Sequence, residues 1–154
     1  MPNWCSNNVT FTHEDPVQIQ RVAKAYNENR LFSEFMPLVE GADASNVWGT
    51  KWEVESVDEV EADGNTVSLY FDSAWSPPIR FYESMTEMGF DVEAYYFEPG
   101  MSFCGVWTSE DGDEYHDIRG DSAWVRENIP EDIDEMFGIA DGMEVWEHEQ
   151  RNDS

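Results

Sequence analysis

The strongest constraint on the fold is a repeated change of hydrophobic period, from two-residue alternation to helical spacing and back. Trp4 to Thr12 alternates, with Val9 and Phe11 set against Asn8, Thr10 and Thr12, and reads as a strand. Asp15-Pro16 supplies an N-cap and a proline suited to the first helical position. Val17, Ile19, Val22, Ala25 and Tyr26 continue at roughly helical spacing. Thr50 to Glu61 alternates again, with Trp52, Val54, Ser56 and Val60 against acids at 53, 55, 59 and 61. Asp63-Gly64 is a tight-turn dipeptide, and Thr66 to Asp72 returns with Val67, Leu69 and Phe71 on one face, which predicts a hairpin. Ser76-Pro77-Pro78 opens a second helix with Ile79, Tyr82, Met85 and Met88, stopped by Gly89. Phe90–Phe97 and Met101–Thr108 read as strands around the Pro99-Gly100 turn, and Glu114–Ile118 as a short edge strand.

The order βαββαβ is the split βαβ pattern of a ferredoxin-like α+β sandwich, here with an extra C-terminal hairpin and an acidic short-helix segment. A chain of 154 residues makes one domain. Residues 1–118 form the ferredoxin-like part, and residues 119–154 form an acidic extension packed on it. One or two short helices are predicted near 121–137. The two main helices cover one face of the sheet. The apolar loop at 31–38 or the C-terminal segment must cover the other.

Charge narrows the function. The net charge is −26, and Lys24 and Lys51 are the only lysines. Such a field repels nucleic acid and anionic membranes, so neither is expected as a direct partner. It favours basic proteins, cations or salty solvent. Residues 110–154 hold 16 acids and three bases, a net of −13 (3 − 16), while the other 109 residues share the remaining −13. Yet Trp124, Ile129, Ile133, Phe137 and Trp146 lie within that acidic part, so it is not a plain solvating tail. The start lacks the features of a signal peptide, and no apolar run is long enough to span a bilayer; a cytoplasmic location is expected.

No cofactor, metal or catalytic set is legible. Cys5, Cys104, His13, His116 and His148 match no zinc spacing. Residues 110–114 place their glycine wrongly for a calcium loop. Cys104 with His116 suggests a nucleophile and base, but no orienting third group is identifiable. The aromatics at 48, 52, 75, 95, 96, 97, 103 and 107 resemble a base-stacking platform in number only. Their neighbours are acids, so core packing is the expectation.

Four segments recur in an order that resembles the YubB-like ferredoxin-like domain family of plasmid and bacteriophage proteins. They are Met1-Pro-Asn-Trp-Cys-Ser-Asn7, Trp48-Gly-Thr-Lys-Trp52, Phe71-Asp-Ser-Ala-Trp-Ser-Pro-Pro78 and Phe103-Cys-Gly-Val-Trp107. The resemblance implies the same fold and a mobile-element origin, acting inside a bacterial host. It implies no reaction. Within these segments Trp48, Lys51, Trp52, Asp72, Trp75 and Pro77 are expected to meet at one end of the sheet, with Lys51 and Asp72 placed to pair. Their first role is to fix the hairpin and the start of the second helix.

The leading functional expectation is a non-enzymatic accessory protein that binds a basic partner. That partner is a nucleic-acid-binding host defence protein, met by nucleic-acid mimicry in an anti-restriction or anti-CRISPR role. The candidate contact residues are Glu110, Asp111, Asp113, Glu114, Asp117, Glu131, Asp132, Asp134 and Glu135. One alternative is a small-ligand or enzymatic pocket among Trp52, Trp75 and Trp107. Another is a salt-adapted domain whose acidity only keeps it soluble.

Overall fold

The computed structural model describes residues 3–152. In chain order its elements are β1 (Trp4–Thr12), α1 (Pro16–Asn27), α2 (Leu31–Phe35), α3 (Ala44–Trp48), β2 (Thr66–Ala74), α4 (Ile79–Glu87), β3 (Asp91–Glu98), β4 (Phe103–Thr108), β5 (Gly112–Asp117), α5 (Ser122–Asn128), α6 (Glu131–Phe137) and α7 (Ile139–Asn152). The strands make one antiparallel sheet in the order β2-β1-β3-β4-β5. β2 and β3 both run antiparallel to β1, so they are parallel to each other and α4 is the crossover between them.

The strand expected at Thr50–Glu61 does not form, so the element order departs from βαββαβ. Of the hairpin only a single bridge survives, between Asp63 and Thr66 around the Asp63-Gly64 turn. The reason lies at the end of α1. The Asn27 amide donates to Val60 O and accepts from Val60 N–H, both at 2.8 Å, imitating a strand partner. Asn29 Oδ1 accepts from the backbone N–H and hydroxyl of Ser56, and Tyr26 Oη accepts from Val57 N–H. The Glu53 carboxylate takes the N–H groups of Phe32, Ser33 and Val54. Side chains at and just beyond the end of α1 thus satisfy backbone that a sheet ladder would have used. Val54 is buried and Val60 half-buried, so the alternating pattern records core anchoring of an irregular segment.

One face of the sheet carries the larger core. Val9, Phe11, Val67, Leu69, Phe71, Val92, Ala94 and Trp107 meet Ile19, Val22 and Tyr26 of α1 and Phe81, Tyr82 and Met85 of α4. The α1 stripe forms as its spacing predicts, capped by the Asp15 side chain on Val17 N–H. Leu31, Phe32 and Phe35 join this same core from a short helix; the 31–38 segment does not cover the second face. Asn7, Ser73 and Glu98 are buried polar residues at inward strand positions. The Asn7 amide Nδ2 lies 2.9 Å from Cys5 O, 2.9 Å from Ser73 Oγ and 3.3 Å from Phe71 O, and its Oδ1 accepts from Tyr82 Oη at 3.4 Å.

The second face is covered only in part. Cys104 packs with Val125, Ile129, Ile133, Ile139 and Ala140, and half-buried Tyr95, Phe97 and Val106 border them. Two short helices, α5 and α6, lie within the 121–137 stretch where one or two were expected, and a third, α7, follows and runs to Asn152. Gly138 in the left-handed region (φ 60°) ends α6, and Asp134 accepts the Ala140 N–H at the start of α7. Glu147 of α7 accepts from the backbone and hydroxyl of Ser122 at 3.0 and 2.6 Å, tying α7 to α5. Over β1 and β2 the same face stays open and polar, with Ser6, Asn8, Thr10, Ser68, Tyr70 and Asp72.

Candidate functional site

Three of the four segments meet at a structural junction, through Asn3, Gly49–Thr50 and Ala74–Pro78; Phe103–Trp107 lies apart on β4. Gly49 caps α3 at φ 86°, and a Cβ there would press on the backbone of Pro78, Ile79 and Arg80. Thr50 Oγ1 donates to Ala74 O, Ser76 Oγ donates to Gly49 O, and Trp75 N–H donates to Asn3 O. Trp48 is buried against Phe32 and donates from its indole to Met36 O. Pro77 is buried and its carbonyl accepts the Ile79 N–H at the start of α4.

What the junction exposes is aromatic. Trp4, Trp52 and Trp75 are 45%, 45% and 49% exposed. Trp4 and Trp52 lie 5.9 Å apart between centroids. Trp75 holds a left-handed backbone at φ 70°, a conformation unfavourable for a bulky side chain. The expected Lys51–Asp72 ion pair is absent among the described residues. Lys51 instead holds its ammonium 5.3 Å from the Trp52 ring centroid, and Asp72 accepts from Ser6 Oγ at 3.4 Å. Trp107 is buried beside Tyr82 on the opposite face from Trp4, so Trp52, Trp75 and Trp107 line no common pocket. A cavity of about 410 Å³ does lie by Trp4 and Trp52, closed by Glu53, Glu55, Val57, Asp72 and Ala74.

The nine acids proposed from sequence fall on both sides of the sheet. The β5 register sets Asp113 and Asp117 opposite Trp107 and Phe103, and Glu114 opposite Val106 on the other face. Several of the nine serve the fold. Asp113 accepts from Tyr96 Oη at 2.5 Å, and Asp117 from Tyr115 Oη and Arg119. Asp134 caps α7. Asp132 accepts from Tyr95 Oη at 3.1 Å. Burial first, then Glu93, Asp132 and Glu114, push that phenol up to about 12. Glu110, Asp111, Glu131 and Glu135 are exposed. Glu135 sits one turn from Glu131, whose hydrogen bond and charge raise its pKa.

Burial pushes the thiols of Cys5 and Cys104 up to about 12, so both are protonated at neutral pH. Cys104 does face His116 across β4 and β5, but His116 lies 3.1 Å from Glu114. No group of three or more metal-ligating side chains occurs among the described residues. No helix there is long and apolar enough to cross a membrane.

Sequence reasoning passed over Trp4, Asn7, Asn27 and Glu53. For Asn7 a signal existed: a polar residue at the inward parity of a strand whose other inward positions are Cys5, Val9 and Phe11.

The architecture is that of an α+β domain with a five-stranded antiparallel sheet. A family model described as the ferredoxin-like domain in Api92-like protein matches residues 47–141, and the chain belongs to that family. No curated protein and no solved structure matches it.

Proposed function

We propose that this domain is a non-enzymatic accessory protein that binds a basic protein partner through its carboxylate surface. The partner class is a nucleic-acid-binding defence component of a bacterial host, a restriction or CRISPR nuclease. The resemblance to YubB-like proteins of plasmids and phages supports such a setting. One observation carries the reading: the 34 acids face only eight bases, and four of those, all arginines, are held in local pairs. Arg21 and Arg30 bind Glu34, Arg30 also binds Glu28, Arg119 binds Asp117, and Arg126 binds Asp141 and Glu144. Exposed carboxylates such as Glu110, Asp111, Glu131 and Asp132 make no ion pair among the described residues, which favours a positively charged partner.

The test is competition. Labelled duplex DNA is bound to purified restriction and Cas nucleases, and the protein is titrated in at low salt. Displacement from at least one nuclease is expected, weakening about tenfold or more between roughly 50 and 200 mM salt. The combined change Glu110→Lys, Asp111→Lys, Glu131→Lys and Glu135→Lys should weaken it further. Failure to displace DNA from any nuclease at the lower salt overturns the proposal.

A further inference from the structure

β2 has a strand on one side only. Across the turn, Asp63 N–H donates to Thr66 O at 2.8 Å and Thr66 N–H to Asp63 O at 3.0 Å. That exchange fixes the parity of the strand: even-numbered residues of β2 turn their backbone groups away from β1. Two side-chain bonds obey the same parity, Tyr26 Oη to Tyr70 O at 2.5 Å and Thr50 Oγ1 to Ala74 O at 3.1 Å. Along the same edge the N–H and C=O of Ser68 and Asp72 and the N–H of Tyr70 point outward. None has a backbone partner among the described residues. This is an open ladder spanning five residues, about 17 Å of strand.

The segment that ought to close the ladder runs beside it. Residues 53–60 are held by side chains at and just beyond the end of α1, and two cavities lie between them and β2. One, about 410 Å³, lies against Asp72 and Ala74; the other, about 260 Å³, lies against Ser68 and Tyr70. Val57 lines both, and its N–H bonds Tyr26 Oη beside Tyr70 O, a contact that a peptide paired along the full edge would displace. Open edges invite pairing with another chain.

We propose that the outer edge of β2 is a docking site for an extended peptide segment bearing lysine or arginine. Charge chooses the occupant. Glu55, Asp58 and Asp72 are exposed around these cavities, and Trp4 and Trp52, each partly exposed, stand at one end. The Lys51 ammonium already rests over Trp52, so that ring accepts a cation in this setting. A second copy of this chain would bring the same carboxylates to its own edge and be repelled. This inference rests on the basic-partner reading and gives it a geometry: main-chain pairing for affinity, cationic side chains for selection.

The probe is a peptide of about eight residues alternating lysine and valine, with two controls. One carries N-methyl groups on alternate backbone nitrogens, which keeps the charge and removes edge pairing. The other replaces lysine by glutamate. Binding of the lysine peptide is expected, with slowed amide exchange at Ser68, Tyr70 and Asp72, at least tenfold weaker binding of the methylated peptide, and none of the glutamate one. Ser68→Pro removes an outward N–H that the fold leaves unpaired, so it should keep a cooperative melt and weaken the lysine peptide at least tenfold. Should that variant not fold, Asp72→Lys and the exchange measurement on the unaltered protein decide.

Equal affinity for the methylated and unmethylated peptides would show charge attraction alone and overturn the docking site. So would a dimer whose contact protects the same three amides. If the lysine peptide fails while nuclease displacement persists, the docking site is wrong and the basic-partner reading stands. If displacement fails but the peptide binds with the expected protection, that partner class is wrong and the docking site stands.

Discussion

On one face of the sheet the packing is aromatic. Phe32 lies 4.7 Å from Phe81 and 6.1 Å from Phe71, and Phe35 lies 5.6 Å from Phe90. On the other face a smaller, mainly aliphatic cluster around Cys104 and Ile133 holds α5, α6 and α7, within the part of the chain that carries half the net charge. The first face has large apolar area and ring contacts to hold it. The second has less of both, and it works against crowded carboxylates such as Glu131 and Glu135. A sheet can therefore be complete and well packed on one side while its other cover is loosely held and strongly charged.

The largest expected effect tests the aromatic face. Phe32→Ala should cost about 3–5 kcal/mol and lower the global unfolding midpoint, since the ring joins α2, β2 and α4. Ile133→Ala should cost less, about 2–3 kcal/mol, and speed amide exchange in α5 to α7 before the strands respond. Simultaneous opening of both faces in the Ile133 variant would erase the distinction. Glu147→Ala removes the acceptor for the Ser122 N–H and hydroxyl; about 1–2 kcal/mol of stability should go, again first from the helical layer.

The smallest effect is the most diagnostic, because the two faces should answer pH in opposite senses. Hydrogen bonding to Arg21, helped by Arg30, lowers the Glu34 pKa. Its contribution is present above the ordinary carboxylate pKa and is lost as pH falls through the lowered value. Glu135 is raised, first by its hydrogen bond with Glu131. The folded state therefore takes up that proton before the unfolded chain does, and stability is gained as pH falls through the raised value. Exchange protection in α6 should rise on mild acidification while the α1–α2 contact weakens only at lower pH. Glu135→Gln should abolish the α6 response, and added salt should imitate acidification there by screening the pair.

Much of this division was readable beforehand. The Asp15 cap, the α1 stripe, the inward parity of Val67, Leu69 and Phe71, and the aromatic run of β3 are local signals, and the structure uses each locally. Residues 50–61 misled because alternation reports which side chains are buried, and not what the backbone bonds to. Val54 and Val60 are anchored, while Asn27 and Tyr26, distant in sequence, take the place of a strand. The full length of α7 was hidden because Gly142 and few apolar residues weaken its pattern. Of the site, the sequence showed the junction of Trp48–Trp52 with Ala74–Pro78. It could not show that Lys51 turns to Trp52 instead of Asp72, since that choice depends on where the irregular segment places the ring.

The amide of Asn7 has a consequence for how the chain finds its alignment. If β1 slid along β2 by two residues, Val9 and Phe11 would still point inward and hydrophobicity alone would not object. Asn7 would object: away from Ser73, Phe71 O and Tyr82 it would keep only Cys5 O of its own strand and lose its other partners, costing on the order of 1–3 kcal/mol. A polar contact within the apolar layer thus acts as a proofreader, rejecting misaligned sheets that greasy residues would accept.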